Sequence, residues 1–286
     1  ELAAIAKPTI AVVNNAQREH QEFMKSVAEV AAEHADAVLA LPPGGVAVVN
    51  ADDPHAGVWR AAGARAGARV VGFGTGTGAD VRGEVALAPT GSTLHVATAA
   101  GTTTIALAVP GLPMAQNALA AVAAALAAGA DLASIRRGLE AFRAVPGRLA
   151  TTLVPTGAVV IDDTYNANPD SVRAAIDVLA RAAGPRILVL GDMGEVGAEG
   201  PAFHREVGAY ARAAGIERLY AVGAQAALAA DAFGAGARRC DDVDALAAAL
   251  AADAVRGTTV LVKGSRFMRM ERVVAALAGA AQHGGH

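Results

Sequence analysis

Short unbroken apolar blocks that end in polar residues recur along this chain. Thr9-Ile10-Ala11-Val12-Val13 runs into Asn14-Asn15, and Val46-Ala47-Val48-Val49 runs into Asn50-Ala51-Asp52-Asp53-Pro54. Blocks this short, without apolar–polar alternation, predict strands covered on both faces. Helical spacing over residues 25–40, then a short helix and the block 69–73, completes a βαβαβ unit with a parallel sheet. The pattern changes between about Val81 and Val109. Short β-rich runs there are separated by Thr90-Gly91-Ser92 and Ala99-Ala100-Gly101, which predicts antiparallel hairpins. Helices follow at 114–128 and 132–142, and Val145-Pro146-Gly147-Arg148 breaks the pattern. The domain boundary is expected there, giving domains 1–147 and 148–286. The second half alternates strands at 158–161, 187–190, 218–222 and 258–262, and a weaker one near Arg238, with helices: a doubly wound domain.

Composition narrows the class. The chain has 286 residues, enough for two domains. It is 53% hydrophobic but 3% aromatic, so its cores are built from Ala, Val, Leu and Ile. A net charge of −3 argues against a broad nucleic-acid surface, while leaving room for a local anion site. Cys240 is the only cysteine, which excludes an intrachain disulfide. The Ala-rich run 115–128 is too short and too weakly hydrophobic to span a bilayer. A cytoplasmic protein without membrane insertion is the expectation.

Four strand ends carry candidate chemistry. After the block 159–161 comes Asp162-Asp163-Thr164-Tyr165-Asn166-Ala167-Asn168-Pro169. Asn168 is placed as a helix N-cap and Pro169 as the first helical residue. That arrangement holds two carboxylates and two amides at one rim, where an aspartate can accept hydrogen bonds from a ribose. A capped helix with two solvated acids fits the same residues. Asn14-Asn15-Ala16-Gln17-Arg18-Glu19-His20 offers an imidazole that can ligate a divalent metal, or an ordinary solvated loop. Gly191-Asp192-Met193-Gly194-Glu195 permits tight turns and close ligand approach, as any βα loop of this kind does. Lys263-Gly264-Ser265-Arg266 is an anion site or a basic surface loop. His204 reads as a packed or surface histidine rather than a base. His283 and His286 in the tail could bind metal adventitiously.

In this order, these motifs resemble the Mur ligase family, nearly end to end. The residues that carry the resemblance are Val13–Phe23, Asn50–Pro54, Asn117-Ala118-Leu119-Ala120-Ala121, Gly147-Arg148, Val159–Ser171, Leu190–Glu195 and Val262–Arg266. The resemblance implies an α/β fold: a partial central ATPase domain, with parallel strands plus antiparallel hairpins, then a doubly wound Rossmann-like C-terminal domain. It implies an ATP- and Mg2+-dependent amide ligase of peptidoglycan precursor synthesis, monomeric, with small-molecule substrates. ATP phosphorylates the terminal carboxylate of a UDP-muramoyl-tripeptide, and the amine of D-alanyl-D-alanine displaces the phosphate. By the same resemblance His20 ligates magnesium, Asn15 and Asn117 contact the nucleotide, and Asp163 its ribose. Arg148, Lys263 and Arg266 are the catalytic cations, Arg148 facing the phosphates. Asn166, Asn168, Asp192 and Ser265 line the substrate side. His34 stands where many relatives carry a carbamylated lysine. Gly111-Leu112-Pro113-Met114 departs from the family's Gly-x-His-Asn. No GxxxxGK[ST] phosphate loop is present in this sequence, nor is the acidic metal ligand that follows it, just before Glu1. The expectation is therefore a fragment inactive alone. The alternatives are a non-catalytic nucleotide- or dipeptide-binding module, or a sibling ligase of the Mur or folylpolyglutamate type.

Overall fold

The computed structural model describes residues 2–279, so the histidines of the tail lie outside the described residues. Its contacts fall into two compact units. Among the described residues, the first comprises 2–19 and 24–142; the second comprises His20–Phe23 and 143–279.

The first unit starts with α1 (Leu2–Ala6), β1 (Ile10–Val13), α2 (Val27–Leu39), β2 (Val46–Asn50), α3 (Ala56–Ala66) and β3 (Arg69–Gly74). It continues with β4 (Val81–Ala88), β5 (Gly91–Thr98), β6 (Gly101–Leu107), α4 (Leu112–Ala127) and α5 (Leu132–Ala141). Its six strands lie in sequence order in one sheet. β1, β2, β3 and the start of β4 pair in parallel, and β4–β5–β6 is the antiparallel meander that the turn-separated β-rich runs predict. Trp59, the one tryptophan, is fully buried among small residues of α2 and the strands, and its indole donates to the Ala31 carbonyl at 2.9 Å. That bond satisfies the ring's only polar group inside an apolar core.

The second unit contains β7 (Ala150–Leu153), β8 (Val159–Asp163), α6 (Pro169–Ala180), β9 (Arg186–Gly191), α7 (Gly200–Ala213) and β10 (Arg218–Val222). α8 (Ala226–Phe233), β11 (Ala237–Cys240), α9 (Val243–Ala251), β12 (Thr259–Lys263) and α10 (Glu271–Gly279) complete it. The strand order is β11-β10-β9-β12-β8-β7, parallel except for β7. β7 has no apolar block in the sequence because it is an exposed edge strand, Ala-Thr-Thr-Leu, that borrows its pairing from β8. The chain steps from β8 through β9 and β10 to β11, then returns to insert β12 between β8 and β9. That reversal opens a crevice at the carboxyl ends of β8, β12 and β9, where ligands bind in open α/β sheets.

Side chains such as Val160, Val189, Val260 and Val262 pack against Leu246 and Leu250 of α9 and Val273 and Leu277 of α10. Among the described residues no helix is long and apolar enough to cross a membrane.

Small residues let α7 and α8 approach closely. A Cβ on Gly208 would lie 2.1 Å from the Ala229 carbonyl oxygen. Gly208→Ala should therefore cost about 1–3 kcal/mol through overpacking, despite alanine's better helix propensity. A urea midpoint equal to or above that of the parent would show that the two helices are not in hard contact.

Candidate functional site

At the carboxyl edge of the second sheet, the register places Asp162 beside Val262 and Asp163 beside Lys263. Lys263 is buried, 3% exposed, a rare state for a lysine unless it is paired. Its ammonium donates to Asp163 Oδ2 at 2.5 Å and to the Asn166 carbonyl at 2.9 Å. Asp163 Oδ1 also accepts the Leu149 N–H at 3.2 Å. Asp162 accepts from the Gly147 N–H at 2.9 Å, and from the Thr164 N–H and hydroxyl. The two adjacent aspartates thus fasten the Gly147–Leu149 loop on one side and Lys263 on the other.

The neighbouring loops are tied to one another as well. The Ser265 hydroxyl donates to the Ala167 carbonyl at 3.2 Å and accepts the Gly194 N–H at 2.6 Å. Asn168 caps α6, accepting the Ser171 N–H at 2.8 Å, with Ser171 returning the bond to complete a capping box. Asp192 turns away from the edge to accept the Gln225 and Ala226 N–H groups at the start of α8, at 3.1 and 2.6 Å. His204 is fully buried on α7: its Nδ1–H donates to the Gly200 carbonyl at 2.7 Å and its Nε2 accepts the Met193 N–H at 2.9 Å. Accepting at Nε2 requires the neutral ring, and burial pushes its pKa below the usual 6.5.

Of the residues read from the sequence as substrate contacts, Asn168, Asp192 and Ser265 therefore spend their hydrogen bonds on holding loops in place. The Asn166 carbonyl anchors Lys263, while its exposed side chain accepts the Ala167 N–H. The groups left facing outward are the guanidinium groups of Arg148 and Arg266, both exposed. Arg148 lies over the half-exposed ring of Tyr165, 4.1 Å from its centroid, so its planar face is supported and its N–H edges are open. His20 belongs to the same unit, and its Nδ1 lies 2.5 Å from Glu195 Oε2.

Backbone strain gathers in these loops. Among the described residues, the non-glycine positions with left-handed backbone are Lys7, His20, Leu149, Glu195 and Arg269. All but Lys7 lie in loops of the second unit that border its candidate site. Strain of this kind persists only where surroundings over-determine it, as at binding sites. Sequence reading missed Glu195 and Tyr165 as individual participants. Glu195 is 175 positions from His20, and only the fold brings them together.

The first unit has its own polar edge. Asn50 Nδ2 donates to the Asn14 carbonyl at 2.9 Å, and Asn14 Nδ2 donates to Asn117 Oδ1 at 2.6 Å. Asn14 Oδ1 is buried without a partner. Asn117, read as a nucleotide contact, keeps its amide donors free of any contact stronger than one to Met114 sulfur at 3.9 Å. The carbonyl of Asn15 accepts from His34 Nδ1 at 3.1 Å, and His34 Nε2 lies 3.6 Å from Glu19. Among the described residues, no group of three His, Cys, Asp or Glu side chains gathers to hold a metal.

Comparison with known proteins agrees with this architecture. Residues 1–125 match the Mur ligase middle domain, and residues 147–266 match the Mur ligase glutamate ligase domain. The chain is 37% identical over 280 residues to the UDP-N-acetylmuramoyl-tripeptide–D-alanyl-D-alanine ligase of Escherichia coli K12, covering 96% of this chain and 61% of that one. The Haemophilus influenzae ligase of the same name is 32% identical, with 96% and 60% covered. Among solved structures, MurF of Acinetobacter baumannii superposes with a TM-score of 0.88 at 30% identity, over 96% of this chain and 61% of that one. MurF of Thermotoga maritima with ADP, at 24% identity and a TM-score of 0.86, shares the fold. The chain thus spans about three fifths of the length of these relatives.

Two outcomes test the rim. Lys263→Ala would strand Asp163 partly buried without its cation, at a cost of about 3–5 kcal/mol in chemical unfolding; an unchanged midpoint would contradict the pairing. For His204, folded and unfolded forms are both neutral above about pH 6.5. As pH falls below that, the unfolded chain takes up a proton that the folded ring refuses, so stability drops until pH reaches the lowered folded value. His204→Leu should flatten that acid slope, and an identical slope in parent and variant would refute the burial argument.

Proposed function

This chain belongs to the Mur ligase family, carrying its middle and glutamate ligase domains, and we propose that its protein joins D-alanyl-D-alanine to a UDP-muramoyl-tripeptide at the expense of ATP. The observation that carries the reading is the carboxyl edge of the second sheet. Its polar groups immobilise one another and leave Arg148 and Arg266 with open N–H edges. Guanidinium groups suit phosphate and carboxylate, and they stabilise negative charge that develops during acyl transfer. The likeness to the Escherichia coli and Haemophilus influenzae ligases supports this choice of substrates.

The reaction transfers the γ-phosphoryl group of ATP to the tripeptide carboxylate. The dipeptide amine then attacks the acyl carbon, phosphate leaves with the C–O bond electrons, and the amine gives up a proton. In this reading Arg148, seated on Tyr165, faces the phosphates, and Asp163 accepts from the ribose while holding Lys263. Arg266 takes a carboxylate, and the Lys263 ammonium keeps the Asn166 loop at the height where its amide meets the dipeptide.

Magnesium fits on a partial shell. It is usually held by phosphates and water with few protein ligands, and His20 offers one half-exposed imidazole; among the described residues no group of three ligating side chains gathers beside it. When bound, it would neutralise phosphate charge during transfer. The setting proposed is a cytoplasmic monomer acting on small molecules.

Calorimetry on this chain should show Mg·ADP and D-alanyl-D-alanine binding. Arg148→Ala should weaken the first and Arg266→Ala the second by roughly tenfold or more, the worth of a charged hydrogen bond. Absence of dipeptide-dependent phosphate release from a protein of the relatives' full length that contains this sequence would overturn the assignment.

A further inference from the structure

His20 and Glu195 form a built pair inside the second unit. Both adopt left-handed backbone, φ 52° and 56°, which side-chain-bearing residues rarely do. Several contacts impose it. The Glu22 N–H donates to the Glu195 carbonyl at 3.1 Å, and the Phe23 N–H closes a turn on the His20 carbonyl at 2.8 Å. Gly197, at φ +60°, packs against the Gln21 and Glu22 backbone, where a Cβ would come within 3.3 Å of the Gln21 carbonyl oxygen. From the other side, the loop leading to Glu195 is pinned at each preceding residue: Asp192 to α8, Met193 to His204, and Gly194 to Ser265.

The result is a carboxylate held 2.5 Å from one imidazole nitrogen, on a side chain that is half exposed. A carboxylate can only accept, so the facing Nδ1 must donate, and the proton of the neutral ring is fixed there. Nε2 is left with its lone pair. Carboxylate–histidine pairs of this kind orient imidazole toward a metal ion and raise its basicity. We propose that Glu195 is the positioning residue for His20, selecting the tautomer whose Nε2 faces a divalent cation. The Gly191–Glu195 loop then contributes by aiming a ring rather than by touching substrate. The cation half of this proposal rests on the reading of His20 as the magnesium ligand; the tautomer half does not.

The two halves separate in one experiment on the full chain. Long-range 1H–15N spectra of 15N-histidine protein are recorded near pH 8.5, above the ordinary histidine range, with His20→Gln to assign the signal. The parent should show His20 protonated on Nδ1. Glu195→Gly, which accepts the left-handed backbone while removing the carboxylate, should lose that preference. Glu195→Gln, which keeps an acceptor oxygen, should retain it. The His204 signal should stay unchanged in both variants, showing that the loop remains folded. A parent ring protonated on Nε2, or an unaltered tautomer in Glu195→Gly, overturns the role of Glu195. Mn2+ added with ADP should broaden the His20 signal. If it does not while the tautomer result holds, the metal assignment of His20 fails and the proposal loses its cation.

Discussion

An ammonium group buried at the end of a central strand governs the second unit. Lys263 lies in the middle of a parallel sheet with strands on both sides, where water cannot solvate its charge. It stays there because Asp163 and the Asn166 carbonyl replace that water. Those two partners sit at the start and the middle of the loop that opens α6, so satisfying one charge fixes the first half of the turn. Asp163 in turn draws in the Leu149 N–H, and its neighbour Asp162 draws in Gly147. Arg148, between them, gains a defined position without a direct bond of its own to either acid.

The same economy appears in the next loops. Ser265 follows Lys263 by two residues and bonds to the chain on both flanks, to Ala167 and Gly194. His204 supports Met193 from beneath. A site made this way has an inner layer of mutually satisfied polar groups and an outer layer of a few open ones. Networks of this sort are rigid because every member that moved would leave a partner unsatisfied in a low-dielectric setting.

Much of this was legible in the sequence because buried parallel strands announce themselves as apolar blocks, and their ends as polar clusters. Asn168 and Pro169 were readable as a helix start from local chemistry alone, and the capping box bears that out. The division of labour within the clusters was not readable. Asp192 looks like a rim carboxylate until α8 is seen to begin beside it, more than thirty positions later. Lys263 and Arg266 look alike as cations three residues apart, yet strand pairing buries one and the following turn exposes the other. β7 left no trace, since an edge strand with solvent on its flank needs no apolar block.

The second unit is not contiguous along the chain, because it includes His20–Phe23, a short segment that interrupts the first. Gene fusion and shuffling act on contiguous cassettes. A cassette that begins at Arg143 would carry the Gly191–Gly197 loop to a new host without the segment that the loop was shaped to receive. Moving the second unit intact therefore requires transferring both segments together, or keeping the short upstream segment matched to the loop it meets.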